Sequence, residues 1–345
     1  MRNCLRSPLL EAVVLSGILL VTANVGADTV RLKGSGASFP FPLYGQWFKE
    51  YGKANNEVII DYQAKGSGAG IKDFMNKTVD FAASDAAMTD EEMAAVKDGV
   101  QLLPMTAGTI VLAYNLPGGP ADLKLSREAY PKIFLGEITK WNDPLVAKAN
   151  PGATLPDLPI TVVRRADSSG TTFVFTQHLS AVSEAWKKGP GTGTTVNWPS
   201  SDKFIAAPKN DGVAATLKQT PGSIGYIEYG FAEMAKLNTA SLENKAGKFI
   251  KPTIESGQAA LAGTQMPPDL RAWIPDPAGE AAYPIVTYTW MVFYKKYEDA
   301  KKAETLRNVV KFCLTEGQKV SSKLGYLPLP ENVVQVVSQA ADNIK

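Results

Sequence analysis

Short β-prone runs alternate with amphipathic stretches along most of this chain, and that alternation limits its fold more than any other feature. Val58-Ile59-Ile60-Asp61-Tyr62, Thr109-Ile110-Val111-Leu112-Ala113-Tyr114, Ile160-Thr161-Val162-Val163 and Ser223-Ile224-Gly225-Tyr226-Ile227 each read as a strand. The longest such run is Val286-Thr287-Tyr288-Thr289-Trp290-Met291-Val292-Phe293. Between them apolar residues recur at helical spacing, as at Ile71, Phe74 and Met75, and again from Phe231 to Leu237. Strands alternating with helices predict an α/β fold with largely parallel sheets. The tail from Ala303 onward reads as two helices parted by Gly325 and by Pro328 and Pro330. Pro-Gly clusters at 116–120, 151–159 and 189–199 read as loops within lobes, and no internal repeat or low-complexity tract interrupts the pattern.

A chain of 345 residues exceeds what one hydrophobic core usually holds, so two lobes are expected. Thirty-six basic residues against 34 acidic ones leave a net charge of +2, too little excess for a general nucleic-acid or membrane-surface binder. One histidine and two cysteines leave almost nothing for an imidazole or thiolate metal site. The N-terminus carries Arg2 and Arg6, an apolar run at 12–21, and then Asn24-Val25-Gly26-Ala27 with small residues where a signal peptidase reads. That run is well short of the ~20 residues needed to span a bilayer, so a cleaved signal peptide at 1–27 is expected over an uncleaved anchor. Cys4 precedes the apolar run, which disfavours a lipid anchor. Cys313 shares helical spacing with Leu306, Val309 and Val310, as a buried structural cysteine would.

Four short stretches carry the chemistry. Gly34-Ser35-Gly36-Ala37-Ser38-Phe39-Pro40 precedes a helical pattern through Leu43, Trp47, Phe48 and Tyr51, with Pro40 expected at the first helical position. Free amides at such a helix start attract anions, although taken alone Ser38 reads first as a plain N-cap. Gly66-Ser67-Gly68-Ala69-Gly70-Ile71 sits between a strand and a helix and fits neither phosphate-cradling motif. Gly70 comes one position early for a dinucleotide fingerprint, and Lys72 follows Ile71 instead of a glycine. Arg164-Arg165-Ala166-Asp167-Ser168-Ser169-Gly170-Thr171-Thr172 follows a strand directly and opens a helical pattern. Arg165 offers a planar fork for a tetrahedral oxyanion, with Asp167 near enough to orient it; a surface ion pair beside an ordinary cap is the competing reading.

The fourth stretch is Ala83-Ser84-Asp85-Ala86, a lone carboxylate among small residues at a strand end. It also reads as a turn aspartate ahead of a helix that Thr89 and Glu92 would cap as a box. Inside an anion site a carboxylate makes sense only if the anion brings a proton to donate. Hydrogen phosphate does so and sulfate does not.

Together these segments resemble the periplasmic phosphate-binding proteins of phosphate-specific ABC transporters. The most specific marks are Gly36-Ala37-Ser38-Phe39-Pro40, Val79-Asp80-Phe81-Ala82-Ala83-Ser84-Asp85, the run from Val162 to Thr171, and Pro221-Gly222-Ser223-Ile224-Gly225-Tyr226. The resemblance spans nearly the whole chain after the leader and implies a class II periplasmic-binding-protein fold, with a phosphate cleft between two lobes joined by a two-strand hinge. It implies a discontinuous first lobe at 28–105 and 286–345, a second lobe at 106–285, and crossovers near 105–111 and 284–288. It places phosphate donors on Ser38, Phe39, Ser67, Ser169, Gly170 and Thr171, the proton acceptor on Asp85 and the charge partner on Arg165, steadied by Asp167. The family often has threonine where this chain has Ser38, and commonly Gly-Ser-Ser-Gly-Gly where Gly68 and Ala69 here follow Ser67.

The resemblance further implies a soluble periplasmic monomer without cofactor. It would deliver inorganic phosphate to an inner-membrane permease complex of two permease subunits and an ATPase. A binding protein for another oxyanion, such as sulfate, molybdate or a phosphonate, is the alternative. A secreted phosphatase with Ser169 as nucleophile would need a base. The only histidine, His178, lies nine residues along the same expected helix and so on its opposite face.

Overall fold

The computed structural model describes residues 29–345; the leader read at 1–27 lies outside the described residues. Eight strands build the main sheet: β1 (Val30–Gly36), β2 (Val58–Ala64), β3 (Phe81–Ser84), β4 (Val100–Asn115), β6 (Thr161–Arg165), β7 (Phe204–Ala207), β8 (Ser223–Glu228) and β12 (Val286–Tyr294). The short β9 (Asn238–Thr239) adds to β4, and β5 (Lys124–Leu125), β10 (Ser241–Glu243) and β11 (Phe249–Ile250) form a small separate sheet. The main order is β2-β1-β3-β12-β4-β8-β6-β7.

The flanks of this sheet are parallel, β1 between β2 and β3, and β6 between β7 and β8. The middle departs from the largely parallel sheet expected: β12 runs antiparallel to β3 and to β4, and β4 runs antiparallel to β8. The reason is topological. β4 carries the chain out of one flank into the other, and β12 carries it straight back, so their directions must oppose. β4 pairs with β12 through Thr109 and with β8 from Ile110 onward. Its first half escapes the sequence pattern because Pro104 sits mid-strand. Opposite that proline the register slips between Thr289 and Trp290, where a residue without N–H could not have donated to the ladder anyway.

Each flank has its own apolar core. Tyr44, Trp47 and Phe48 from the helix Phe41–Ala54 pack beneath β1 to β3, and Trp47 donates through Nε1 to the Gly317 carbonyl at 2.7 Å. On the other side Phe134, Phe175, Trp198 and Tyr226 stack in a chain of rings over β6 and β8. Full burial of such a side chain stabilises by roughly 1.5–3 kcal/mol. His178 is a core residue. Its Nδ1 donates to the Pro275 carbonyl at 2.7 Å, which leaves Nε2 to accept from the Tyr130 hydroxyl at 2.8 Å, and burial pulls its pKa down to about 4.

The tail holds the two expected helices, Ala300–Leu314 and Glu331–Ala341, with an extra short helix, Gln318–Ser321, and a 3-10 turn between them. Cys313 is fully buried on the first. The connection at 262–285 has no regular structure but is pinned at two places along its length. Trp290 Nε1 donates to the Leu270 carbonyl at 2.7 Å, and Arg271 reaches the Met88 carbonyl and Asp90. Five residues on, Pro275 is held by His178, and Asp276 accepts both Nη atoms of Arg127 at 2.8 and 3.0 Å. Among the described residues no helix is long and apolar enough to cross a membrane.

Candidate functional site

The C-terminal ends of β1, β3 and β6 converge where the two flanks of the sheet meet, and each delivers one of the singled-out segments there. After β1 the chain turns through Ser38 and Phe39, both buried, into the helix Phe41–Ala54. Pro40 occupies the N-cap itself and not the first helical position expected, and Pro42 sits inside the first turn. The side chain of Ser38 does not cap the helix. Its Oγ instead accepts from the backbone N–H and the Nδ2 of Asn210, at 3.2 and 3.0 Å. Phe39 is fixed from behind, its carbonyl accepting from the Tyr326 hydroxyl at 2.6 Å.

The glycine-rich segment after β2 is already helical from Ser67, so the helix Ser67–Met75 contains Gly68 and Gly70. These glycines permit close approach. Gly68 donates its N–H to the Ser168 carbonyl at 3.1 Å across the divide between the flanks, and a Cβ there would lie 2.1 Å from Ser168 Oγ. Ser67 Oγ accepts from the Asp85 N–H at 3.3 Å, which brings the second and fourth segments together. Thr89 and Glu92 do form the expected capping box, so Asp85 is free of that duty.

Asp85 is 1% exposed. One carboxylate oxygen accepts from the Thr289 hydroxyl at 2.8 Å and the other is 3.5 Å from the Thr171 hydroxyl. Burial pushes its pKa up to about 7, against the opposing pull of Thr289, Arg165 and Thr171. Arg165 ends β6 and is buried. Its Nε donates to Asp167 Oδ1 at 2.8 Å and its Nη2 to Oδ2, so one carboxylate holds two sides of the guanidinium. The third, Nη1, is buried and has no hydrogen-bond partner. Burial alone would raise the pKa of Asp167, but the Arg165 bonds and the Lys209 N–H at 2.9 Å bring it below the usual carboxylate value. The ion pair is therefore no surface contact: the Arg165 side chain is 1% exposed.

Ser169 caps the helix Gly170–Val182, its Oγ accepting from Thr172 N–H at 3.1 Å. Gly170 and Thr171 then present the first amides at the positive end of that helix. Gly170 presses against Asp85 and Ser67: a Cβ would meet Ser67 Oγ at 2.5 Å and Asp85 N at 2.8 Å. All eight expected donor and acceptor positions thus lie in one buried junction, with Asp167 at its edge. His178, engaged with Tyr130 and Pro275, does not serve Ser169 as a base. Among the described residues no group of three or more His, Cys, Asp or Glu could hold a metal ion.

Sequence reasoning missed three residues here. Thr289 lies within a run correctly read as strand, but alternation does not say which hydroxyl of β12 meets Asp85. Asn210 is fully buried behind Lys209, whose backbone is left-handed at φ +57°, and nothing local marks that turn. Glu228, also fully buried, accepts from the Gly230 and Phe231 amides, and burial raises its pKa well above the usual value.

Comparison with known proteins agrees with this architecture. The PBP superfamily domain matches residues 23–316. The phosphate-binding protein PstS of Xylella fastidiosa is 38% identical over 312 residues, covering 90% of this chain and 84% of that protein. PstS of Pasteurella multocida is 38% identical over 327 residues, covering 94% and 93%. Among solved structures, a high-affinity periplasmic phosphate-binding protein (PfluDING) bound with phosphate superposes with a TM-score of 0.76, covering 90% of this chain and 93% of the other, at 22% identity. The fold is accordingly the two-lobed one of the periplasmic phosphate-binding proteins, and with identity at that level over nearly its full length the chain belongs to the PstS phosphate-binding family.

Proposed function

We propose that the protein binds inorganic phosphate in the periplasm, in the cleft built from Ser38, Phe39, Ser67, Asp85, Arg165, Ser169, Gly170 and Thr171, and delivers it without turnover to an ABC permease of two permease subunits and an ATPase. One observation carries this reading. A single guanidinium with an unspent buried donor faces the same buried junction as a carboxyl poised near neutrality. Hydroxyl and helix-start amide donors with one cation suit an oxyanion, and a single acceptor among them suits one that carries a proton. The lobes would be 28–105 with 286–345, and 106–285. The hinge would lie where β4 changes partners beside Thr109 and where β12 begins. Closing the lobes excludes water, and the charge-assisted bonds then act at low dielectric. The receptor would work as a monomer.

Calorimetric titration of protein freed of bound anion by unfolding and refolding tests this reading. One-to-one phosphate binding, micromolar or tighter, with sulfate silent, is the expected result. Silence toward both anions would sink it. Tight binding of sulfate or a phosphonate in place of phosphate would favour the other-oxyanion reading.

A second test uses the contact at Gly170. Its missing Cβ lets the second lobe reach Ser67 and Asp85, and the backbone of Asp85 cannot step aside for a methyl group. Gly170→Ala is expected to weaken phosphate binding about tenfold to a hundredfold, in line with the usual cost of overpacking. The melting temperature of the ligand-free protein should stay near that of the parent, because the clash arises only where the lobes meet. An unchanged dissociation constant would mean that the lobes do not close as drawn.

A further inference from the structure

Asn210 belongs to none of the segments that resemble a known binding loop, yet it touches both sides of the junction. It sits in the first turn of the helix Lys209–Gln219, which packs on the β6–β8 flank, while Ser38 follows β1 on the other flank. The orientation of its amide is settled by the backbone of Glu228. That N–H can only donate, so the oxygen it meets at 3.1 Å is Oδ1, and the atom facing Ser38 must be Nδ2. Ser38 Oγ therefore accepts twice from one residue, from Asn210 N at 3.2 Å and from Nδ2 at 3.0 Å.

A serine hydroxyl has two acceptor lone pairs and one proton. With both lone pairs occupied, Ser38 has only its proton left, and that proton makes no hydrogen bond to a described residue. We propose that Asn210 is a positioning residue that turns Ser38 into an obligate hydrogen-bond donor toward the ligand, and does so only when the two lobes are together. This rests on the phosphate reading given above and deepens it. Before closure Ser38 is an ordinary hydroxyl that can donate or accept; after closure it can only donate.

The consequence is a fixed polarity across the junction. Ser38 is bound to meet an unprotonated oxygen, whereas Asp85 can accept the ligand proton. A monoprotonated oxyanion then has one orientation in which every group is satisfied, and a rotated ligand sets its O–H against a donor. Asn210 Nδ2 also lies 3.4 Å from Thr171 Oγ1, whose hydroxyl faces Asp85, so one amide biases both ends of the same arrangement.

The test is a double-mutant cycle on the full chain, with inorganic phosphate followed by calorimetry. Asn210→Ala and Ser38→Ala should each weaken binding about tenfold, the usual loss for one hydrogen bond to a charged ligand. The double variant should be no weaker than the worse single one, because Asn210 acts through Ser38. Multiplied effects would overturn the proposal. Asn210→Asp supplies a readout that a merely structural residue would not move. At pH 8 its carboxylate accepts the Ser38 proton and binding should fall below that of the alanine variant. Burial at this position raises the introduced carboxyl as it raises that of Asp85, so as the pH is lowered to 5.5 it gains a proton, can donate to Ser38 again, and affinity should recover. Expressing each value as a ratio to the parent at the same pH cancels the titration of phosphate, and repeating the series in the Asp85→Asn background removes that of Asp85. A ratio that stays flat with pH would overturn the proposal while leaving phosphate binding by the parent intact. A parent that binds no phosphate would remove the receptor reading and this inference together.

Discussion

Asp85→Asn should collapse the preference for phosphate over sulfate from about four orders of magnitude to one or two. A site built to hydrogen-bond a ligand hydroxyl rejects the analogue lacking it by about 10⁴-fold, because a buried polar group is left facing the wrong partner. Here that group is the carboxylate of Asp85, which takes the proton of hydrogen phosphate and opposes the lone pairs of sulfate. An asparagine amide can donate, so sulfate loses its penalty. The pKa near 7 gives the effect a pH dependence. Below it the protonated carboxyl can itself donate to sulfate, so the parent should discriminate least on the acid side and most above neutrality. The asparagine variant should show only the slope that the titration of phosphate itself imposes. Paired titrations at pH 6 and pH 8.5 check this, and an unchanged ratio in the variant would refute the role given to Asp85.

The same substitution should stabilise the empty protein. The folded-state pKa of Asp85 lies above its ordinary value of 3.8, so between about pH 4 and pH 7 the native state holds a proton that the unfolded chain has released. Stability contributed by this group is therefore greatest in acid, declines through that window, and is flat above it. Asparagine carries no such penalty. At pH 8 the variant should melt a few degrees above the parent when both are free of ligand, and below the parent once phosphate is added at millimolar concentration.

Removing the cation is the second large effect. Arg165→Met should weaken phosphate binding by a hundredfold to a thousandfold, the range expected when a buried charge partner is truncated. It also strands Asp167, which gives two of its bonds to Arg165, so the melting temperature should drop as well. The double variant Arg165→Met with Asp167→Asn removes both charges and should recover most of the stability and none of the affinity. Recovery of binding in the double variant would show that Arg165 serves the fold and not the ligand. Arg165→Lys is not a mild change here: a lysine cannot bond Asp167 on two sides and still aim a third donor into the junction.

Much of the junction was legible because its parts are local. A strand followed by a serine or arginine segment and then a helix start announces itself in sequence, as at Ser38, Ser67 and the run from Arg165 to Thr171. The strands around 58–62, 223–227 and 286–293 likewise showed in their β-branched and aromatic content. What stayed hidden depends on long-range meeting. Thr289 and Asp85 are 204 positions apart, and Asn210 and Ser38 are 172 apart. The antiparallel centre of the sheet was hidden for the same reason. Local pattern shows that β4 is a strand but not that it serves two flanks in turn, and Pro104 masks its first half. Pro40 was misplaced by one position because a proline at the N-cap and one in the first turn leave nearly the same trace in sequence.

The pinned connection at 262–285 acts as a leash. Between Leu270, held by Trp290, and Pro275, held by His178, run five peptide units. Even fully extended they reach only roughly 17 Å. The two anchors sit on opposite flanks of the sheet, so for as long as both bonds hold the mouth has a maximum gape along this edge set by chain length. Going wider means breaking a buried hydrogen bond first. A receptor built this way is cheap to open slightly and expensive to open far, which keeps the segments around Asp85 and Arg165 within one short swing of each other.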